Sequence, residues 1–241
     1  MKKLFNLKSG ESRFYLIFTG LTVSLVLLGF GNTYLPKLMT ENYTLPTIIH
    51  YHAFLFFCWL ILFSAQVFFV QIRRTDLHMK IGKASFLLVP AMLIVGALTS
   101  IDAARTGHLG IPGVMFSNWH SFLFLNLAAL FIFIFLFSLA ILLKNKIQWH
   151  KRLMLMATLG GLGPPGFSRL PLIGGSETAI AIVTGVLILS APALDFKIHK
   201  RLHPAYFVST PLILLILPPV VNAIGKSATW IYFAEFIVRS L

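Results

Sequence analysis

The chain has 241 residues, of which 57% are hydrophobic and only 11% are charged, and its mean hydropathy is +0.85. A water-soluble domain of this length cannot bury so much apolar surface, so the composition predicts a single integral membrane domain over 1–241. Cys58 is the only cysteine, which excludes internal disulfides, thiolate zinc sites, CxxC redox pairs and haem attachment through CxxCH.

Apolar segments follow one another along the whole chain. The first follows the charged stretch MKKLFNLKSGESR without a small-residue cleavage site, so we expect this helix to be retained. A helix needs about 20 apolar residues to cross the hydrocarbon core. The runs predict an all-α bundle of about seven transmembrane helices at 14–34, 47–71, 83–101, 119–143, 152–173, 177–194 and 204–224.

Two segments depart from this simple pattern. The sequence GGLGPPGF at 160–167 predicts that the fifth helix kinks or ends early, with SRLP continuing as a loop. The tail at 227–241 is too short to span the membrane and contains Glu235 and Arg239. It therefore predicts an interfacial amphipathic helix.

The net charge of +13 reflects topology. Fifteen of the twenty Lys and Arg residues fall in the N-terminus and in the loops after the second, fourth and sixth predicted helices. This bias predicts a multi-pass protein of the inner (plasma) membrane, with its N-terminus in the cytoplasm and its C-terminus outside. Because the basic residues are accounted for in this way, the lipid bilayer is the expected partner and nucleic acid is not.

Histidines stand at the beginnings of four consecutive predicted helices: His52, His78, His120 and His150. Alternate helices start on the same side, so His52 and His120 share the outer face, while His78 and His150 share the inner face. The helices from the second to the fifth therefore form a four-helix, histidine-bearing core. Since histidine also tolerates headgroup regions, ordinary interfacial placement is the alternative for each one.

The four histidines also mark a possible internal repeat. HAFLFF at 52–57 and HSFLFL at 120–125 each lead through an apolar run to a second histidine, in LHMKIG at 77–82 and WHKRLM at 149–154. The pattern indicates duplicated helix hairpins at 47–101 and 119–173 in parallel orientation. A chance match of Phe-rich and Leu-rich segments explains it equally well.

Small or slender residues follow the two inner histidines on the same helix faces. They are Gly82 and Ser85 after His78, and Met154, Ala157 and Gly161 after His150. Such residues leave a slot for a flat macrocycle, or they let neighbouring helices approach closely.

The chain resembles a family of uncharacterised bacterial multi-pass membrane proteins. The likeness is carried by HxxxxxxWxxxxxxQ (His52, Trp59, Gln66), HxxxG, HKRLM, the Arg-Leu-Pro at 169–171, and DFKIHKRLHP with its DxxxxxxxHP spacing. It covers most of 50–205 and implies no established activity.

The histidine arrangement also resembles, more remotely, that of the ascorbate-reducible di-haem b-type cytochromes. The resemblance implies two b-type haems, one ligated by His52 and His120 and the other by His78 and His150, in a transmembrane electron carrier with an electron donor and acceptor. Expected hydrogen-bond acceptors for the ligands are Ser117, Asn118 and Gln148. Expected partners of the haem propionates are Lys80, Lys83, Lys151, Arg152 and Arg105.

Two other functions stay open. Asp195, His199 and His203 follow helical spacing and could hold copper or zinc in a metal-handling protein or an assembly factor, although Pro204 disfavours a helical His203. The outer set for such a metal is His50, His52, His108, His120 and Asp102. The third function is a non-redox transporter, a quinone-binding or lipid-binding protein, or a subunit of a larger membrane complex, with Arg169 and Glu177 flanking the broken helix. No residues are grouped with the spacing of a hydrolytic enzyme.

Overall fold

The computed structural model describes residues 10–39, 45–107, 119–170, 173 and 176–240. Within these residues the chain is helical and contains no strand. The helices are α1 Gly10–Thr33, α2 Leu35–Leu38, α3 Thr47–Gln71, α4 Thr75–Gly82, α5 Ser85–Thr106, α6 Trp119–Leu142, α7 Ile147–Phe167, α8 Glu177–His199, α9 Pro204–Leu214, α10 Pro218–Gly225 and α11 Ala228–Ser240.

The fold is an all-α bundle of a multi-pass membrane protein. In the described part of the chain, five segments are long and apolar enough to span a bilayer: α1 with α2, α3, α5, α6 and α8. The pair α9 and α10, bent by 55° at a short break, is a sixth candidate. Large apolar side chains on the outside of α3, such as Phe54, Phe57 and Phe68, are exposed, as expected for a surface that faces lipid.

Helix α7, the fifth predicted span, occupies the centre of the bundle. Its mean hydropathy is lowered by basic residues in its first turns and by glycines and prolines near its end. The helix continues through Pro164 and Pro165 to Phe167, so GGLGPPGF is helical and the helix ends just after it. Leu153, Met156 and Ala157 are completely buried, because α1, α6, α8 and α9 pack around α7.

Helix α1 approaches α7 very closely near the end of both helices. A Cβ atom built on Gly29 would overlap the carbonyl oxygen of Gly166, and one built on Gly166 would lie 2.7 Å from the Cα atom of Val26. Only glycine leaves enough space for two helix backbones to touch in this way.

The two predicted hairpins differ in their connections. Helices α6 and α7 are joined by a short turn, whereas the separate amphipathic helix α4 lies between α3 and α5. His78 is therefore on α4 and not at the start of the third span, which begins at Ser85. The duplication stays a prediction.

Polar contacts define the two ends of the bundle. One end, called the basic end below, contains Glu11, His78, Lys151 and His199, which come from α1, α4, α7 and α8. At the opposite end, called the far end, the hydroxyl of Tyr34 lies 2.6 Å from His50 Nδ1. Helix α11 packs there across α5 and α6 with Ala234 completely buried.

Candidate functional site

His78 and His150 lie next to each other at the basic end. Their ring centroids are 6.3 Å apart and the ring planes are nearly perpendicular, at 85°. Helix α4 positions His78, and the first turn of α7 positions His150. The structure thus brings together the two histidines that the sequence pattern paired at the inner face.

Hydrogen bonds orient both rings. The Nδ1–H group of His150 donates to the carbonyl oxygen of Ala140 at 2.9 Å, so Nε2 of the neutral ring has the free lone pair. Nδ1 of His78 has two neighbours on Gln66, the side-chain amide at 2.8 Å and the backbone carbonyl oxygen at 3.4 Å. Acceptance from the amide nitrogen places the proton of neutral His78 on Nε2, whereas donation to the carbonyl places it on Nδ1.

The predicted slot beside these rings is filled by protein atoms. A Cβ atom on Gly82 would lie 3.1 Å from the terminal amide group of Gln66, and one on Gly161 would lie 2.8 Å from Phe133 Cβ. Ala157 is completely buried in the apolar core. The small residues after His78 and His150 therefore allow helices to pack closely.

His52 lies at the far end, on the wall of a cavity. Its ring stacks on Phe56 with centroids 4.1 Å apart, and its buried Nδ1 has no hydrogen-bond partner. The cavity has a volume of about 80 Å³, and its other polar lining residues are Ser100, Asn126 and Arg169.

His120, the residue predicted to pair with His52, has other neighbours. Its ring stacks on Trp119 at 3.7 Å, and its Nε2 lies 3.9 Å from Glu235 Oε1 on α11. Its carbonyl oxygen accepts a hydrogen bond of 2.8 Å from the indole of Trp230. No described contact joins His52 to His120.

Arg152 and Asp195 form an ion pair that is buried inside the basic end. The Nε and Nη2 atoms of Arg152 each donate to a carboxylate oxygen of Asp195 at 2.9 Å. Arg152 is 2% exposed and Asp195 is 0% exposed. A third donor of Arg152 binds Gln148. In this structure the two residues are bonded to each other, whereas the sequence led us to expect that Arg152 would bind a haem propionate and that Gln148 would accept from a ligand histidine.

This ion pair continues into a wider polar network. His199 Nδ1 lies 3.2 Å from Asp195 Oδ1, and its Nε2 lies 3.7 Å from Glu11 Oε1. Glu11 also pairs with Lys151. Lys151, predicted to pair with a propionate, therefore binds a carboxylate of the chain itself.

The set Asp195, His199 and His203 does not converge on one metal position. Asp195 is bound by Arg152, and His203 Nδ1 accepts a hydrogen bond from the Ala205 N–H group at 3.1 Å as the N-cap of α9. Among the residues that the structure describes, no group of three or more His, Cys, Asp or Glu side chains could hold a metal ion.

Among the described residues outside the spans, His203 and Asp76 have lowered pKa values. Burial and the nearby Arg152 charge lower the pKa of His203 below its ordinary value of 6.5. In the exposed first turn of α4, hydrogen bonds from Arg74 lower the pKa of Asp76 to about 2. Asp76 therefore stays ionised two residues from His78.

The remaining predicted residues have separate positions. Arg105 donates to the carbonyl oxygen of Val238 at 3.1 Å, and Lys80 and Lys83 stand at the basic end on and after α4. Asp102 lies on α5, where its carbonyl oxygen accepts from Thr106. His108, Ser117 and Asn118 lie outside the described residues.

Comparison with protein families, with curated proteins and with solved structures found no match. The two resemblances noted in the sequence therefore stay predictions.

Proposed function

We propose that the protein handles a copper ion at the basic end of the bundle, held between His78 and His150. The distance of 6.3 Å between the ring centroids carries this proposal. Imidazole nitrogens bind such metals at about 2.0–2.1 Å, so two rings on opposite sides of one ion have centroids about 6 Å apart. The observed spacing matches the one expected for two rings that bind a single ion through facing Nε2 atoms.

The surroundings of the rings support metal binding through Nε2. A ligand histidine commonly donates its other N–H group to an oxygen of the protein. His150 already does this through Ala140. His78 reaches the same state when its proton moves from Nε2 to Nδ1 and the Gln66 amide turns to present Oε1, so binding needs no net loss of a proton.

The number of ligands favours copper over zinc. Structural zinc sites use four protein ligands and catalytic ones use three, whereas the described residues offer two at this position. Monovalent copper is stable with two nitrogen ligands in a line. Its two-ligand site also releases the ion readily, which suits transfer to or from a partner protein.

A b-type haem between the same two histidines is the second candidate. The ring spacing would also suit haem iron, and this would retain the role of an electron carrier at one end of the membrane. The close packing at Gly82 and Gly161 favours the bare ion, because a macrocycle needs space beside the rings that these helices fill.

The test is titration of the purified, metal-free protein with Cu(I) in the presence of a chromophoric competitor. We expect one ion per chain, two nitrogen ligands in the X-ray absorption spectrum, and at least about a hundredfold weaker binding in His78→Ala and His150→Ala. His52→Ala and His120→Ala at the far end are the matched controls and keep the affinity of the unmodified protein. A His78→Ala/His150→Ala double variant with the Cu(I) affinity of the unmodified protein would overturn the proposal. A Soret band after haem supplementation would show that the two histidines bind haem and not a copper ion.

A further inference from the structure

The cavity at the far end contains a positive charge that none of the described side chains neutralises. Arg169 lines it, together with the half-buried His52 ring, Ser100 and Asn126. None of the ion pairs among the described residues includes Arg169. A half-buried guanidinium without an anion is costly in a membrane protein, so an ionisable group in such a place is a candidate for a binding site.

Among the described residues, the Arg169 side chain makes one hydrogen bond and one contact with an aromatic ring. Its Nη1 donates to the carbonyl oxygen of Pro165 at the end of α7, and its guanidinium lies 4.4 Å from the centre of the Phe30 ring. A guanidinium has five N–H donors. The Phe30 face and one carbonyl hold the group in place while its other edges remain available.

A second, independent observation points to a ligand in the same cavity. Nδ1 of His52 is buried and has no hydrogen-bond partner. Buried polar atoms are nearly always paired in native proteins, so an orphan on a cavity wall indicates a polar group that the cavity receives. Arg169 and His52 thus offer a charged group and a neutral polar group to one guest.

The remaining walls define the size and polarity of that guest. Phe56, Leu60 and Leu130 line the cavity, and none of its lining residues in the described part of the chain is acidic. A smaller cavity of about 50 Å³ shares Arg169 and Asn126, and its Glu177 is already bound by Asn222 at 2.7 Å. A cavity of about 150 Å³ accepts benzene, which has six heavy atoms. A volume of about 80 Å³ therefore suits a carboxylate of one or two carbons, which has three or four heavy atoms.

We propose that this cavity binds a monocarboxylate of one or two carbons, formate or acetate, with its carboxylate on Arg169 and the acetate methyl group against Phe56 and Leu60. A single negative charge matches the single guanidinium, and the apolar walls disfavour a strongly hydrated dianion such as phosphate. This inference is independent of the metal proposal, which concerns the opposite end of the bundle.

The test is equilibrium binding of radiolabelled acetate to the purified protein. We expect saturable binding that weakens about 10-fold to 100-fold in Arg169→Gln, because hydrogen bonds to a charged partner are lost. Arg105→Gln removes an exposed guanidinium from the same end and leaves the affinity unchanged. Ethanol, which has the same two carbons without the charge, should compete poorly.

Further comparisons keep the result decisive if Arg169→Gln does not fold. Arg169→Lys keeps the charge and loses the planar fork, so we expect intermediate affinity. Absence of saturable acetate binding to the unmodified protein would overturn the proposal. So would equal displacement of acetate by ethanol, or displacement by inorganic phosphate at equal concentration, which would identify a general anion site.

Discussion

The guanidinium of Arg152 and the carboxylate of Asp195 face each other edge to edge in the interior of the bundle, joined by two hydrogen bonds of 2.9 Å. They connect α7 to the last turns of α8 at a position where neither side chain reaches solvent. Each charge is tolerated there only because the other is present.

Removing one partner of this pair should destabilise the fold. We expect Asp195→Asn to lower the free energy of unfolding by about 3–5 kcal/mol, because Arg152 would remain charged and buried without its counterion. Thermal unfolding in a mild detergent measures the effect. The double variant Arg152→Met/Asp195→Leu should recover much of the loss, and removal of the exposed ion pair in Asp76→Asn should destabilise the protein far less than Asp195→Asn does. An Asp195→Asn protein as stable as the unmodified one would contradict this account.

A carboxylate at Gln66 should strengthen the proposed copper site. In Gln66→Glu, the new oxygen accepts the Nδ1–H group of His78 and favours the tautomer that presents Nε2 to the ion. Such outer partners change metal affinity about 10-fold to 100-fold, so we expect tighter Cu(I) binding by at least about tenfold. Gln71→Glu on the same helix is the control. Unchanged affinity in Gln66→Glu would show that Gln66 does not set the tautomer.

The contact between α1 and α7 should not accept a methyl group. Gly29→Ala would place Cβ on the Gly166 carbonyl, so the helices must separate and the thermal midpoint should fall. Gly20→Ala, also on α1, meets no atom within 4 Å and should be neutral or stabilise by up to about 1 kcal/mol through helix propensity. Equal midpoints for the two variants would contradict the close approach.

Acid should weaken the start of α9 through His203. Its pKa is lowered in the folded protein, so the folded state favours the neutral ring, whose Nδ1 accepts from Ala205. The stabilisation is present above the ordinary pKa of 6.5 and is lost as the pH falls below it. His203→Asn keeps an N-cap that does not titrate. Its thermal midpoint should fall less than that of the unmodified protein between about pH 7 and pH 5, and parallel curves would exclude this role.

The sequence predicted the helical class and the position of each major apolar segment, because hydropathy and helix length are local properties. It also paired His78 with His150 through the alternation of helix direction. It placed His78 on the third span, since periodicity does not distinguish a short surface helix from the start of the next segment. Pairings across the bundle, such as that of Arg152 with Asp195, depend on how helices rotate about their own axes, which residue spacing along one helix does not determine.

The orientation of the His120 side chain is a second feature that residue spacing along one helix does not determine. Helix direction placed His52 and His120 at one end, but the position of α11 gives His120 the neighbours Trp230 and Glu235. The cavity beside His52 depends equally on a tertiary feature, the way the chain turns after α7 to bring Arg169 inward. The sequence signal for it was the interruption at 160–167, which marked irregular backbone without showing which side chain would use the space.

The modest hydropathy of α7 has a consequence for how the chain is made. Arg152 enters the translocon 43 residues before Asp195. During this interval of synthesis the guanidinium has no carboxylate partner on α8. We therefore expect the segment to insert stably only together with its neighbours α6 and α8. Biogenesis of this protein should then be a cooperative insertion of several helices, and a nascent chain that stops before Asp195 should remain a substrate for membrane quality-control proteases.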